Sequence, residues 1–169
     1  QNFIIFAIIQ SLTFAAGVWI ILAGVRMIIA EIVPAFKGIA DKLVKDAKPA
    51  LDCPTVFPFA PNAVIVGFLS SFAAGLVSMF LCPLLGLSVI VPGLVPHFFC
   101  GATAGVYGNI CGGRRGAVVG AFAHGLLISF LPAILLPLMG DLGFASTTFG
   151  DADFGVVGII LGHVVSLFN

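Results

Sequence analysis

The chain has 169 residues, 60% of them hydrophobic and only 8% charged, with mean hydropathy +1.23 and a formal net charge of zero. An ordinary soluble domain carries about 25% charge, so seven basic and seven acidic side chains cannot clothe a water-facing surface of this size. The neutral balance gives no reason to expect a nucleic-acid partner, and the long apolar runs leave an all-α polytopic membrane protein with lipid as its solvent.

Residues 1–24 are expected as a transmembrane helix. Phe3 to Ala23 is almost uniformly apolar, and about 20 residues at about 1.5 Å each cover a hydrocarbon core of about 30 Å. Trp19 falls near one end, where an indole suits the interface. Residues 25–50 change character. Eight charges lie between Arg26 and Lys48, while Ile29, Ile32, Val33, Phe36, Ile39, Ala40, Leu43 and Val44 recur at helical spacing. That pattern predicts an amphipathic helix at the cytoplasmic interface, kinked at Pro34.

Residues 51–111 are expected to form a core with two interrupted segments. In Leu51 to Pro61, three prolines (Pro54, Pro58, Pro61) forbid a continuous helix within apolar sequence. Irregular backbone at membrane depth is tolerated only where protein or a watery cavity satisfies it, so this stretch reads as re-entrant or broken. Asn62 to Leu81 is the next span, stopped by Cys82-Pro83. Leu84 to Ile110 is broken by Pro92, Gly93 and Pro96: a short half, a turn, then a helix through Thr103 to about Asn109.

Residues 112–169 are expected as further transmembrane helices around an acidic extracytoplasmic loop. The GGRRG run (112–116) is a charged turn, and Ala117 to Met139 spans again. Gly140 to Asp153 is polar, with Asp141, Asp151 and Asp153, and Phe154 to Phe168 begins a last span. All seven Lys and Arg lie in the 26–48 segment and the 114–115 turn, two crossings apart. By the positive-inside rule both face the cytoplasm. The run starts at Gln1 inside one apolar stretch and stops at Asn169 after another, so a piece of a longer chain is expected.

Asp52 stands out chemically. A carboxylate at membrane depth costs at least about 2.5 kcal/mol, so it needs a partner or a job. It is either an acceptor for a polyhydroxylated solute or a proton, or a helix cap before Pro54, and the two roles can coexist. Thr103 sits in a glycine-rich stretch (GATAGVYGN) and either meets a ligand or bonds its own preceding turn. Asn62 and Asn109 pose the same choice against capping. His97 follows Pro96 and is the histidine best placed to line a cavity. Cys53, Cys82, Cys100 and Cys111 show no CxxC pairing, and the histidines no ligand spacing, so neither metal nor cofactor is expected. The cysteines read as small apolar packing residues. No catalytic motif appears. Two interrupted elements, one with an acid and one with a Thr, describe a solute site in a transporter.

The runs DCPTVFPFAPNAVIVGF (52–68), PGLVPHFFCGATAGVYGN (92–109) and GGRRGA (112–117), with VRMIIAEIVPAFKGIADKLV (25–44), resemble the ascorbate-specific enzyme IIC component of the bacterial phosphotransferase system. The resemblance implies one of two inverted repeats, the second, in a homodimeric multi-pass protein of the bacterial inner membrane. It implies uptake of L-ascorbate, phosphorylated by a phosphocysteine on a soluble IIB partner that IIA recharges. The phosphotransferase activity would belong to that complex, with no self-contained catalytic site in this piece. It implies substrate contacts at Asp52 and Thr103; Cys53, Asn62 and His97 complete the candidate set. Three alternatives remain open: a IIC permease for galactitol or another polyol, a proton- or cation-coupled secondary transporter, and a purely structural membrane bundle.

Overall fold

The computed structural model describes residues 2–45, 47, 53–139 and 151–167. Asp52 and residues 140–150 of the expected acidic loop lie outside the described residues. The chain divides into two units, 1–55 and 56–169.

The first unit is dominated by one helix, α1 (Phe3–Lys42), of 40 residues. Asn2 caps it: the Asn2 carboxamide oxygen accepts from the Ile4 N–H at 3.0 Å. Apolar surroundings require polar side chains to find partners locally. The Ser11 and Thr13 hydroxyls therefore donate to the carbonyls of Ala7 and Ile9 at 2.8 and 2.9 Å. The expected change of element after residue 24 is not a helix break. The helix runs on through Gly24, Pro34 and Gly38 to Lys42. Pro34 removes one backbone bond, which the rest of so long a helix tolerates. No residue of α1 is buried, although Phe3, Ile9, Trp19 and Met27 are all on its surface.

The second unit holds the packed core. The 3-10 helix Cys53–Phe59 spans the boundary at Thr55 and replaces an α-helix, as the prolines dictate. α2 (Pro61–Leu84) follows with Pro61 in its first turn, where a missing N–H costs nothing. Cys82-Pro83 does not end α2, contrary to expectation. The stop is Gly86, at φ +71°, in a Schellman motif. The Leu87 N–H donates to the Cys82 carbonyl at 2.8 Å, and the Gly86 N–H to that of Pro83 at 3.1 Å.

The expected half-helix before Pro92 is absent: residues 87–93 carry no regular structure. Helix resumes as α3 (Leu94–Pro96), passes through a π-helical turn (His97–Gly101), and continues as α4 (Ala102–Leu138). The charged turn is real. Gly112 (φ −142°, ψ 21°) and Gly113 (φ 57°, ψ −149°) leave helical geometry, folding α4 into two arms, 102–111 and 114–138. Gly113 occupies a region that is essentially glycine-only. α5 (Ala152–Ser166) closes the described chain. Three helical stretches, Phe3–Lys42, Pro61–Leu84 and Leu94–Leu138, are long and apolar enough to cross a membrane.

Candidate functional site: a buried polar layer where two helices begin

Small residues set the packing of the second unit. Along α2 they recur every four residues: Ala63, Gly67, Ser71 and Gly75. A Cβ on Gly67 would lie 2.7 Å from the Gly101 carbonyl oxygen and 2.8 Å from the Gly105 Cα. One on Gly105 would approach the Ala63 carbonyl oxygen at 2.7 Å, and one on Gly75 would meet Pro92 and His97. The backbones of α2 and residues 92–105 are thus in direct contact, running antiparallel. This is the small-residue packing by which helices associate in lipid.

A second seam joins the two arms of α4. Gly108 packs on Gly116, and Gly120 on Ala104 and Gly108. The register is antiparallel, stepping four residues on each strand of the seam. One further step sets His124 opposite Cys100.

The two seams place the start of α3 just past the middle of α2, beside Gly75. From there the chain runs back toward the α2 N-terminus. α5 packs on the second arm of α4 in the opposite sense. Gly155 meets Leu131, Gly158 meets Leu135 and Gly162 meets Leu138, so the two helices are parallel. The last segment was expected to begin a further transmembrane helix after an extracytoplasmic loop. Its 15 described residues cover about 22 Å, and it starts part-way along its neighbour. The N-terminal ends of α3 and α5 therefore lie at a similar level and point their helices in opposite directions.

The buried polar groups gather at that level. Ser71 is fully buried and His97 is 2% exposed, with Ser71 Oγ and His97 Nδ1 2.8 Å apart. The imidazole rests on Gly75, whose absent Cβ would come within 2.6 Å of Nε2. Cys100 Sγ donates to Asp151 Oδ1 at 3.1 Å. Cys100 is therefore more than apolar filler, and Asp151, the first described residue after the acidic stretch, is exposed and borders the layer. His124 Nδ1 is buried and has no hydrogen-bond partner among the described residues. An aromatic wall flanks the layer: Phe98 meets Phe57, Phe68 and Phe99 edge-on, with ring centroids 5.2–5.6 Å apart, and Phe72 meets the His97 ring at 5.8 Å.

The candidate residues from the sequence are divided by this geometry. His97 is in the polar layer. Thr103 is half-buried one turn along, and its hydroxyl donates to the Phe99 carbonyl at 2.7 Å, the local bond weighed against a ligand role. It closes on the π-turn, where backbone geometry is loosened. Asn62 lines a separate cavity of about 860 Å³ with Phe59, Ile65, Asn109, Arg114 and Val118, where α2 begins and the arms of α4 meet. Cys53 is half-buried at the head of the 3-10 helix. Ser71, Gly75, Cys100, His124 and Asp151 were not singled out as site residues. The four-residue spacing of small side chains toward His97 and His124 was their only signal.

Among the described residues, three apolar helical stretches of membrane-crossing length define a multi-pass membrane protein. A family described as PTS system sugar-specific permease component, EIIC-GAT, matches residues 1–153. The chain belongs to that family. Among curated relatives, an "Ascorbate-specific PTS system EIIC component" of Mycoplasma pneumoniae is 35% identical over 129 residues, covering 70% of this chain and 19% of the relative. The chain thus spans about a fifth of that relative's length.

Proposed function

We propose that the chain is part of a permease that takes up L-ascorbate across the bacterial inner membrane and presents it for phosphorylation by a phosphocysteine on a IIB partner. The single observation behind this reading is that α3 and α5 begin at a similar level, pointing opposite ways, beside Ser71, His97 and His124. In a bilayer that level is mid-depth, where irregular backbone and buried polar groups serve a translocated solute. Family membership favours coupling to phosphoryl transfer over coupling to a cation, and the printed specificity of the relative favours ascorbate over galactitol.

In this reading Asp52 accepts hydrogen bonds from the solute's hydroxyls. His97, held by Ser71 over Gly75, and Thr103 are further candidate contacts, as are Cys53 and Asn62, the last lining the separate cavity at the start of α2. The rest of the site, and the second copy of a homodimer, come from outside this chain. The reaction is that of the assembled complex: the sugar oxygen attacks phosphorus, the P–S bond of the phosphocysteine breaks, and the hydroxyl proton passes to solvent. Asp52→Asn in the full-length permease is expected to cut ascorbate uptake at least ten-fold with membrane insertion unchanged. Uptake at the wild-type rate, or accumulation of free ascorbate in place of ascorbate phosphate in wild-type cells, would overturn the assignment.

A further inference from the structure

The stripe between the arms of α4 has a consequence for one side chain. It pairs Gly108 with Gly116 and Ala104 with Gly120, small against small. At the next step the pattern ends in His124 opposite Cys100, level with the π-turn. The seam is tightest at Gly108 and Gly116 and has opened to ordinary contact by Gly120, where an added Cβ would lie 3.6 Å from the Ala104 carbonyl oxygen, so a larger side chain fits at the next step, where the helix opposite is in π geometry. The space is polar but incompletely satisfied. Cys100 has Asp151, and His97 has Ser71, whereas His124 Nδ1 has no partner among the described residues.

A buried, unmade hydrogen bond costs about 1–3 kcal/mol, and a histidine costs more than a glycine or alanine that would have continued the stripe. Such a group persists where something binds it part of the time. We propose that His124 is a solute-contacting residue, its Nδ1 reserved for a hydroxyl or enediol oxygen of the transported sugar acid. The inference rests on the permease reading above and adds a residue to it. It assigns the second arm of α4 to the solute site, beside the two interrupted segments.

The test uses the purified full-length permease in detergent, with thermal unfolding followed with and without L-ascorbate. His124→Leu is expected to raise the ligand-free midpoint, because the unpartnered nitrogen is gone, while weakening ascorbate binding at least ten-fold. His124→Asn, which keeps a polar atom near the Nδ1 position, is expected to recover part of the affinity and not the midpoint gain. A His124→Leu protein that binds ascorbate within three-fold of wild type overturns the proposal. So does one whose ligand-free midpoint falls, since that marks a nitrogen already bonded within the protein. Loss of binding in Asp52→Asn with His124→Leu unaffected removes this inference alone. A wild-type protein stabilised by neither ascorbate nor galactitol removes the permease reading with it.

Discussion

The two small-residue seams are built alike and end differently. Each runs antiparallel, each brings backbone onto backbone, and each reaches a histidine at the layer where the broken helices begin. On the α2 seam the histidine is accommodated: Gly75 vacates space for the ring and Ser71 bonds Nδ1 at 2.8 Å. On the α4 seam the histidine has no such seat, and its Nδ1 is unpartnered among the described residues. The difference separates a side chain positioned by the fold from one left available. Packing stripes alone would not distinguish them; hydrogen-bond accounting does.

The largest expected effect comes from filling a seam. Gly67→Val puts three carbons where even one would be 2.7 Å from a carbonyl oxygen on the facing helix. The facing atoms are backbone and cannot swing aside, so the variant is expected to lose its folded, monodisperse peak in detergent chromatography. A normal profile would mean that the seam opens readily and contributes little.

A smaller effect follows from unseating the first histidine. Ser71→Ala leaves His97 Nδ1 buried and unpaired, which costs about 1–3 kcal/mol. The unfolding midpoint should fall, the reverse of the rise expected for His124→Leu. If both variants shift the midpoint in one direction, the contrast between the histidines is not real.

The smallest effect is local to the π-turn. Thr103→Val keeps the volume and removes one hydroxyl bond to the Phe99 carbonyl, worth about 0.5–1.5 kcal/mol. Midpoint and uptake should be compared. A modest midpoint loss with uptake intact assigns Thr103 to the fold alone; an uptake loss larger than the midpoint change places it in contact with solute.

The membrane class, the helical spans and the glycine turn at 112–113 were legible because they follow from composition and local backbone chemistry. Prolines marked irregular backbone correctly at 53–59 but overstated it at Pro83. One proline near a helix end deletes few bonds, and the actual stop required a positive-φ glycine three residues later. The helices expected over 1–24 and 25–50 are joined as one helix through Lys42. A change from apolar to charged sequence alters what surrounds a helix without altering its backbone. The parallel run of α5 was not legible either, because helix direction depends on how Gly155, Gly158 and Gly162 fit Leu131, Leu135 and Leu138. His97, singled out from its proline neighbour, lies buried beside Ser71. Ser71, Cys100, Asp151 and His124 come together only through the register of the seams, a property of pairs of helices.

The unbroken α1 has a mechanical meaning. Forty residues at about 1.5 Å make a rod of about 60 Å, twice the thickness of a hydrocarbon core of about 30 Å. A rod of that length cannot be contained across the lipid at ordinary tilt, so its charged end and its apolar end occupy different media while moving as one body. A tilt of about ten degrees about one end carries the other through about 10 Å. Any partner gripping Lys37 to Lys42 from the aqueous side would hold one arm of a lever whose other arm lies among the lipid chains.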